Sequence, residues 1–302
     1  MIIMKRSFIL VFLFIFLSGC SVLGGGSKSI TIGGKNFTEQ YILTQMTYYL
    51  LEEEGFQVRM MENLGSTLLR VALENGQVTL AWDYTGTILV SHLGQEPISD
   101  PDEAFEELKR IDKANGIDWV NPSGVNNTFA FVMTQEQAEE LEIETMSDLA
   151  DYINENPNEL TLGTDAQFTN RPEDGLPGVE EEYGFSFGVE NTVLMEPGLV
   201  YGALQNGDLD VAVAYETNSQ IEGYDLFLLE DDKSFFPPYH AALAIDEELF
   251  EQYPEIETIL APLAESLDSE VMRKLNYQVD FERQSVALVA HNYLVENGFL
   301  EE

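Results

Sequence analysis

Leu73-Glu74-Asn75-Gly76-Gln77-Val78-Thr79-Leu80-Ala81-Trp82-Asp83-Tyr84 and Leu204-Gln205-Asn206-Gly207-Asp208-Leu209-Asp210-Val211-Ala212-Val213-Ala214-Tyr215 line up without a gap. In each stretch a helical pattern stops at Asn-Gly, a short apolar strand follows, and a tyrosine stands where that strand ends. An earlier echo has the same spacing: Ile30-Thr31-Ile32-Gly33 is answered by Leu160-Thr161-Leu162-Gly163. Repetition over this length marks two similar units rather than one long domain.

Working outward from the first copy, Ile30 to Gly34 reads as a strand and the apolar positions Ile42, Leu43, Met46, Tyr49 and Leu50 as a helix. Gln57 to Met61 reads as a strand, Ser66 to Glu74 as a helix and Val78 to Trp82 as a third strand. The order βαβαβ implies a mostly parallel sheet with helices on its faces, so the fold class is α/β with two lobes. In open α/β sheets ligands bind outside the carboxyl ends of the strands, which puts Tyr84 and Tyr215 on the working edge of each lobe. If the lobes face each other, both rings meet one cleft; the alternative is that each merely covers a strand end.

The connecting segments fit this plan. Asp100-Pro101 reads as a cap and first-turn proline opening a charged helix over 102–113. Phe129 to Met133 is an apolar strand placed to cross between lobes, Ser147 to Ile153 a helix and Leu226 to Leu229 a strand. The stiff run Phe235-Phe236-Pro237-Pro238-Tyr239 suits the return, and the tail from Glu247 is mostly helical.

The first residues address the compartment. Lys5 and Arg6 precede the apolar run Phe8 to Leu17, which ends in Leu17-Ser18-Gly19-Cys20. That is the order of a secretory signal, and the run is too short for the ~20 residues of a spanning helix. Cys20 after Leu-Ser-Gly resembles the bacterial lipobox, so residues 1–19 are expected to be removed and Cys20 acylated, with the Gly/Ser-rich stretch 20–29 as a tether. Cys20 is also the one cysteine, which excludes an intramolecular disulfide.

Net charge is −40, with 14 Lys and Arg against 54 Asp and Glu. Nucleic acid is excluded as a partner, because its phosphates require a basic surface. A surface adapted to high salt explains the acidity better than long-range attraction of cations, since strong salt shortens the Debye length to ~3 Å near 1 M. No catalytic constellation stands out. His92, His240 and His291 are isolated in sequence, Gly33-Gly34-Lys35 lacks phosphate-loop spacing, and no motif calls for a cofactor or a metal.

What stands out is aromatic residues at strand ends and loop junctions: Tyr84, Phe129, Tyr215 and Tyr239. A trimethylammonium group has no N–H to donate, so ring faces hold it better than carboxylates do. At ~0.5 to 2 kcal/mol per desolvated ring, four rings supply on the order of 2 to 8 kcal/mol. Micromolar binding needs about 8.2 kcal/mol.

Ile32-Gly33-Gly34-Lys35-Asn36-Phe37-Thr38-Glu39-Gln40, Tyr84-Thr85-Gly86-Thr87, Asn126-Asn127-Thr128-Phe129-Ala130, Gly198-Leu199-Val200-Tyr201, Ala214-Tyr215-Glu216-Thr217 and Phe235-Phe236-Pro237-Pro238-Tyr239 resemble the glycine betaine/carnitine/choline substrate-binding proteins of osmoprotectant ABC importers. The resemblance covers nearly all of the chain after the tether. It implies a two-lobed periplasmic-binding-protein fold of type II, with residues 30–130 and 236–302 as one lobe, 131–235 as the other and the ligand cleft between them. It also implies an ABC permease subunit as partner, attachment to the membrane through the lipid, and no enzymatic activity.

The family's cage is commonly four tyrosines. Three correspond to Tyr84, Tyr215 and Tyr239, and the fourth falls on Phe129, which keeps the ring face and loses a hydroxyl. Lys35 stands where some relatives place a Gln touching the ligand's polar end, and it favours a carboxylate-bearing ligand such as betaine or carnitine over choline. Thr87 is similar to a position contacting the same end. The alternatives are that Lys35 turns outward to a surface acid and that Thr87 caps a helix. Tyr201, at helical spacing before Ala203 and Leu204, reads as packing. A receptor for another small cation or an amino acid would instead use Arg171 with Asp165, and an enzyme on the same fold would need a nucleophile or acid-base pair.

Overall fold

The computed structural model describes residues 29–171, 174–196 and 198–301. The signal and lipobox read at the start of the chain, Cys20 included, lie outside them.

The chain begins with β1 (Ser29–Lys35), α1 (Thr38–Glu53), β2 (Gln57–Leu64), α2 (Ser66–Glu74) and β3 (Leu80–Tyr84). A single π-helical turn over Thr87–His92 leads to α3 (Pro101–Asp112) and β4 (Ile117–Val120). The second half opens with β5 (Phe129–Thr134), α4 (Gln135–Leu141), α5 (Met146–Glu155), β6 (Leu162–Thr164) and α6 (Ala166–Asn170). It continues through α7 (Leu176–Tyr183), β7 (Thr192–Leu194), α8 (Leu199–Gln205), β8 (Val211–Tyr215), α9 (Ser219–Gly223) and β9 (Leu226–Leu228). The chain closes with β10 (Ala241–Asp246), α10 (Glu247–Gln252), α11 (Glu255–Ser266), α12 (Ser269–Asp280) and α13 (Val286–Glu296).

Two five-stranded sheets result, ordered β2-β1-β3-β10-β4 and β7-β6-β8-β5-β9. They match position by position. β1 runs parallel to β2 and β3, as β6 does to β7 and β8, while β10 is antiparallel to β3 just as β5 is to β8. The antiparallel strand comes from the returning chain in the first sheet and from the outgoing chain in the second. Phe129 to Met133, read as a crossing strand, therefore belongs to the second sheet, where Phe129 pairs with Tyr215. The chain crosses at 121–128 and again at 229–240, and these two segments meet: Asn126 bridges His240, and Thr128 Oγ1 donates to the Pro237 carbonyl at 2.9 Å.

The repeated glycines have a packing cause. A Cβ on Gly33 would lie 2.4 Å from Leu69 and 2.8 Å from Val78, and one on Gly163 would lie 2.2 Å from Leu209. Val78 and Leu209 hold the same place in the two copies, so each sheet needs a bare backbone where that apolar side chain crosses it. This moves the third strand: Val78 is buried in the turn against Gly33, and pairing starts only at Leu80. Gly76 and Gly207, with φ of 70° and 75°, end α2 and α8 in the left-handed conformation that the Asn-Gly pairs signalled.

The first sheet is covered on both faces. Ile30, Ile32, Trp82 and Leu243 pack toward α1 and α11 to α13, while Ala81, Trp119 and Ala244 pack toward α2 and α3. Asp112 is the polar anchor of that second layer, taking both Arg70 guanidinium nitrogens at 2.7 and 2.5 Å and the Trp119 indole N–H at 2.7 Å. Asp100 caps α3 as read, accepting from the Glu103 amide at 2.9 Å.

Candidate functional site

The carboxyl ends of β1, β3 and β8, the start of β5 and the return segment converge on one cleft of about 570 Å³. Lys35, Tyr84, Thr87, Phe129, Tyr215 and Tyr239 all line it, so the structure brings the six residues singled out in the sequence to one place.

Tyr84 ends β3 and is only 4% exposed. Its hydroxyl donates to Glu39 Oε1 and accepts from the Gln40 amide at 3.1 Å, while Phe37 stacks on its ring at 6.3 Å between centroids. Phe129 already lacks a hydroxyl; at Tyr84 the hydroxyl anchors the ring to α1.

Tyr215 ends β8 and is 40% exposed. It stacks on its cross-strand partner Phe129 at 4.9 Å and 28°, and Phe129 rests in turn on Phe168 at 4.8 Å. Tyr239 comes from the return segment. Its backbone N–H donates to Asn126 Oδ1 at 2.7 Å, and Gly86 lets it approach, since a Cβ there would sit 3.0 Å from its ring. Burial pushes the phenols of Tyr84 and Tyr239 up, so both rings stay neutral at ordinary pH.

Lys35 turns inward. Its ammonium donates to Asp83 Oδ1 at 2.5 Å and lies 4.9 Å from the Tyr84 ring centroid, with both charged partners buried. An ammonium has three donors, so this pairing leaves others for a further acceptor. Thr87 is the first residue of the π-helical turn, and Gly86 rather than Thr87 holds its N-cap position. Tyr201 is buried with its hydroxyl on Asn218 Oδ1 at 2.5 Å, the packing role read for it.

Arg171 and Asp165 do not act as a pair. Asp165 caps α6, accepting from Gln167 and Phe168 amides at 2.6 and 2.9 Å. Arg171 binds Asp174 at 2.8 Å through Nε and sets its guanidinium carbon 5.3 Å from the Phe129 ring centroid.

The sequence reading missed two cleft-wall features. Asn127, in the crossing segment, lines the cleft and donates to Glu39 Oε1 at 3.1 Å. Glu39 itself is buried behind Tyr84; desolvation raises its pKa against the hydrogen bonds from Tyr84 and Asn127 that lower it. The pair Asn126-Asn127 before Phe129 was a signal of sorts, but its partner is 88 residues away. The second feature is what the wall lacks: despite 54 carboxylates in the chain, the described residues lining the cleft include Lys35 and Arg171 and no Asp or Glu.

The family described as the substrate binding domain of ABC-type glycine betaine transport systems matches residues 28–296. A glycine-betaine-binding protein of Pseudomonas aeruginosa is 37% identical over 91% of this chain and 90% of its own length. A carnitine transport binding protein of Listeria monocytogenes is 36% identical over 99% of both. A crystal structure described as a glycine betaine/carnitine/choline ABC transporter superposes with a TM-score of 0.83 at 35% identity, over 89% of this chain and 99% of that one. The chain belongs to this family of extracytoplasmic substrate-binding proteins, which capture solutes for ABC importers and are not enzymes.

Proposed function

We propose that the cleft captures glycine betaine or a close relative bearing both a quaternary ammonium and a carboxylate. The ammonium lies among Tyr84, Phe129, Tyr215 and Tyr239, and the carboxylate points toward Lys35 and Thr87. The observation that carries this reading is the composition of the wall: five rings, Phe37 beside the four named, with two cations and no carboxylate among the described lining residues. A donor-free cation gains from ring faces, and an acidic cage would solvate it less well. The free donors of Lys35 suit a carboxylate, which choline lacks.

The lobes on this reading are 30–130 with 236–302 and 131–235, and the pairing of Phe129 and Ala130 with Tyr215 and Ala214 supports moving the first seam to just before Phe129. The loaded protein delivers its solute to the permease subunit while held to the membrane through lipid on Cys20. Cys20→Ala should then release the protein from the membrane fraction and leave its affinity unchanged.

Melting temperature across a ligand panel tests the assignment. Glycine betaine should raise it, carnitine less or equally, and choline least. A larger shift with choline would overturn the role given to Lys35. A shift with amino acids alone would return the reading to Arg171.

A further inference from the structure

One carboxylate stands directly behind the cleft wall in an otherwise apolar layer. Asp83, the last residue of β3 but one, is fully buried. It shares its face of the strand with Ala81 and pairs across the sheet with Ala242, and its Oδ2 has no hydrogen-bond partner. Its Oδ1 accepts from the Tyr84 amide at 2.7 Å and from the Lys35 ammonium at 2.5 Å. Such a pair is weak support for a fold, because apolar side chains of the same volume often match or better an ion pair taken out of water. What Asp83 does to Lys35 explains its place better.

Gly33 faces Leu69 of α2 and Gly34 faces Thr44 of α1, so alternation along β1 turns Lys35 to the α2 side, where Asp83 meets it. The neighbouring charges are engaged elsewhere. Arg70 binds Asp112 and Glu74, and burial pushes His92 below its usual range, so that it is uncharged at neutral pH. Glu39 sits behind the Tyr84 hydroxyl and Glu62 beside Gly34, both on the α1 side of the sheet. Arg171, the other cation of the wall, is held by Asp174 at 2.8 Å through Nε. Asp83 is thus the counter-charge of Lys35.

We infer that Asp83 is a specificity-determining residue: it cancels the charge of Lys35 while leaving other donors of the ammonium free, so the polar end of the cleft takes the carboxylate of a zwitterion by hydrogen bonds without drawing in plain anions. The inference rests on the capture role proposed above. An unpaired Lys35 would attract any small carboxylate. It would also repel the trimethylammonium assigned to the Tyr84 ring, whose centroid lies 4.9 Å from the Lys35 ammonium. With the pair intact, selection falls to the ring faces and to hydrogen-bond geometry.

Calorimetry with three ligands of graded charge tests this: 3,3-dimethylbutanoate, an anion with the shape and carboxylate of glycine betaine; glycine betaine itself, a zwitterion; and choline, a cation. Asp83→Asn keeps the size of the side chain and uncovers the Lys35 charge. Relative to glycine betaine, 3,3-dimethylbutanoate should then gain about tenfold in affinity and choline lose about tenfold. Asp83→Glu should keep the parent's ratios. Lys35→Gln combined with Asp83→Asn removes both charges, so both carboxylate ligands should weaken while the ratio between them stays within about twofold of the parent's. This double variant buries no charge and reports on the pair even where Asp83→Asn alone does not fold. A uniform loss of all three ligands in Asp83→Asn would mark a purely structural residue and overturn the inference. So would parent-like ratios in that variant, or a shifted carboxylate ratio in the double variant. A parent that binds no glycine betaine would instead remove the capture role, and this inference with it.

Discussion

Tyr84 and Tyr215 end equivalent strands of equivalent sheets and face one cleft, yet they are held in opposite ways. Tyr84 is buried, with its hydroxyl fixed by Glu39 and Gln40, whereas Tyr215 is 40% exposed and among the described rings stacks on Phe129. Counting on from Gly33 and Gly163 without a gap, the residue in place of Glu39 is Thr169, whose hydroxyl bonds back to the Asp165 carbonyl within its own short helix. The duplicated scaffold therefore fixes where a ring stands, and the helix behind it decides whether that ring is preorganised or free to adjust. The first lobe supplies a rigid half-site and the second an open one.

The sharpest break between the two halves should come from truncation. Tyr84→Ala removes a buried ring and should cost about 3 to 5 kcal/mol of stability in urea unfolding, in line with large-to-small core changes. Tyr215→Ala should leave stability near that of the parent and instead weaken glycine betaine binding by about 1 to 3 kcal/mol, through lost ring face and apolar contact. Equal stability losses at both positions would show that the halves are not held differently.

Removing only the hydroxyl refines the comparison. Tyr84→Phe takes one hydrogen-bond partner from each of the buried Glu39 and Gln40 and should cost about 1 to 3 kcal/mol of stability. Tyr215→Phe should stay within about 0.5 kcal/mol in both stability and affinity. A harmless Tyr84→Phe would mean that the Glu39 contact does not anchor the first half.

The smallest effect is a pH dependence confined to the first lobe. Burial raises the Glu39 pKa above its usual 4.5. A carboxyl raised in this way stabilises the fold fully only below its unfolded-state pKa and loses that contribution as pH climbs through the folded-state value. Glu39→Gln keeps an acceptor for Tyr84 without the charge. Its stability relative to the parent should rise as pH climbs above the usual carboxylate range. The reverse slope would contradict the burial of an ionisable group there.

The duplication was legible because it rests on local rules. Asn-Gly stops a helix wherever it occurs, and a Gly in an apolar strand marks close approach, here by Val78 and Leu209. The strand ends at Tyr84 and Tyr215 were legible for the same reason. Partners distant in sequence were not legible. The alanine-rich strand β10 joins the first sheet between β3, some 160 residues earlier in the chain, and β4, and nothing in its own pattern names those neighbours. Lys35, singled out in the sequence, lines the cleft, but its carboxylate partner Asp83 is 48 residues away and was not legible. The unequal burial of Tyr84 and Tyr215 was invisible because a strand end specifies direction and says nothing about what packs behind it.

The central claim is that ring faces hold a cation in a wall without carboxylates, and one calorimetric comparison addresses it: glycine betaine against 3,3-dimethylbutanoate, its uncharged-head isostere of the same shape and carboxylate. Measured in strong salt, where the protein's long-range field is screened, glycine betaine should bind at least about 30-fold more tightly, corresponding to about 2 kcal/mol of cation–ring attraction. Equal affinity for the two would show that the cleft selects shape and carboxylate alone, and would contradict the aromatic capture of a cation.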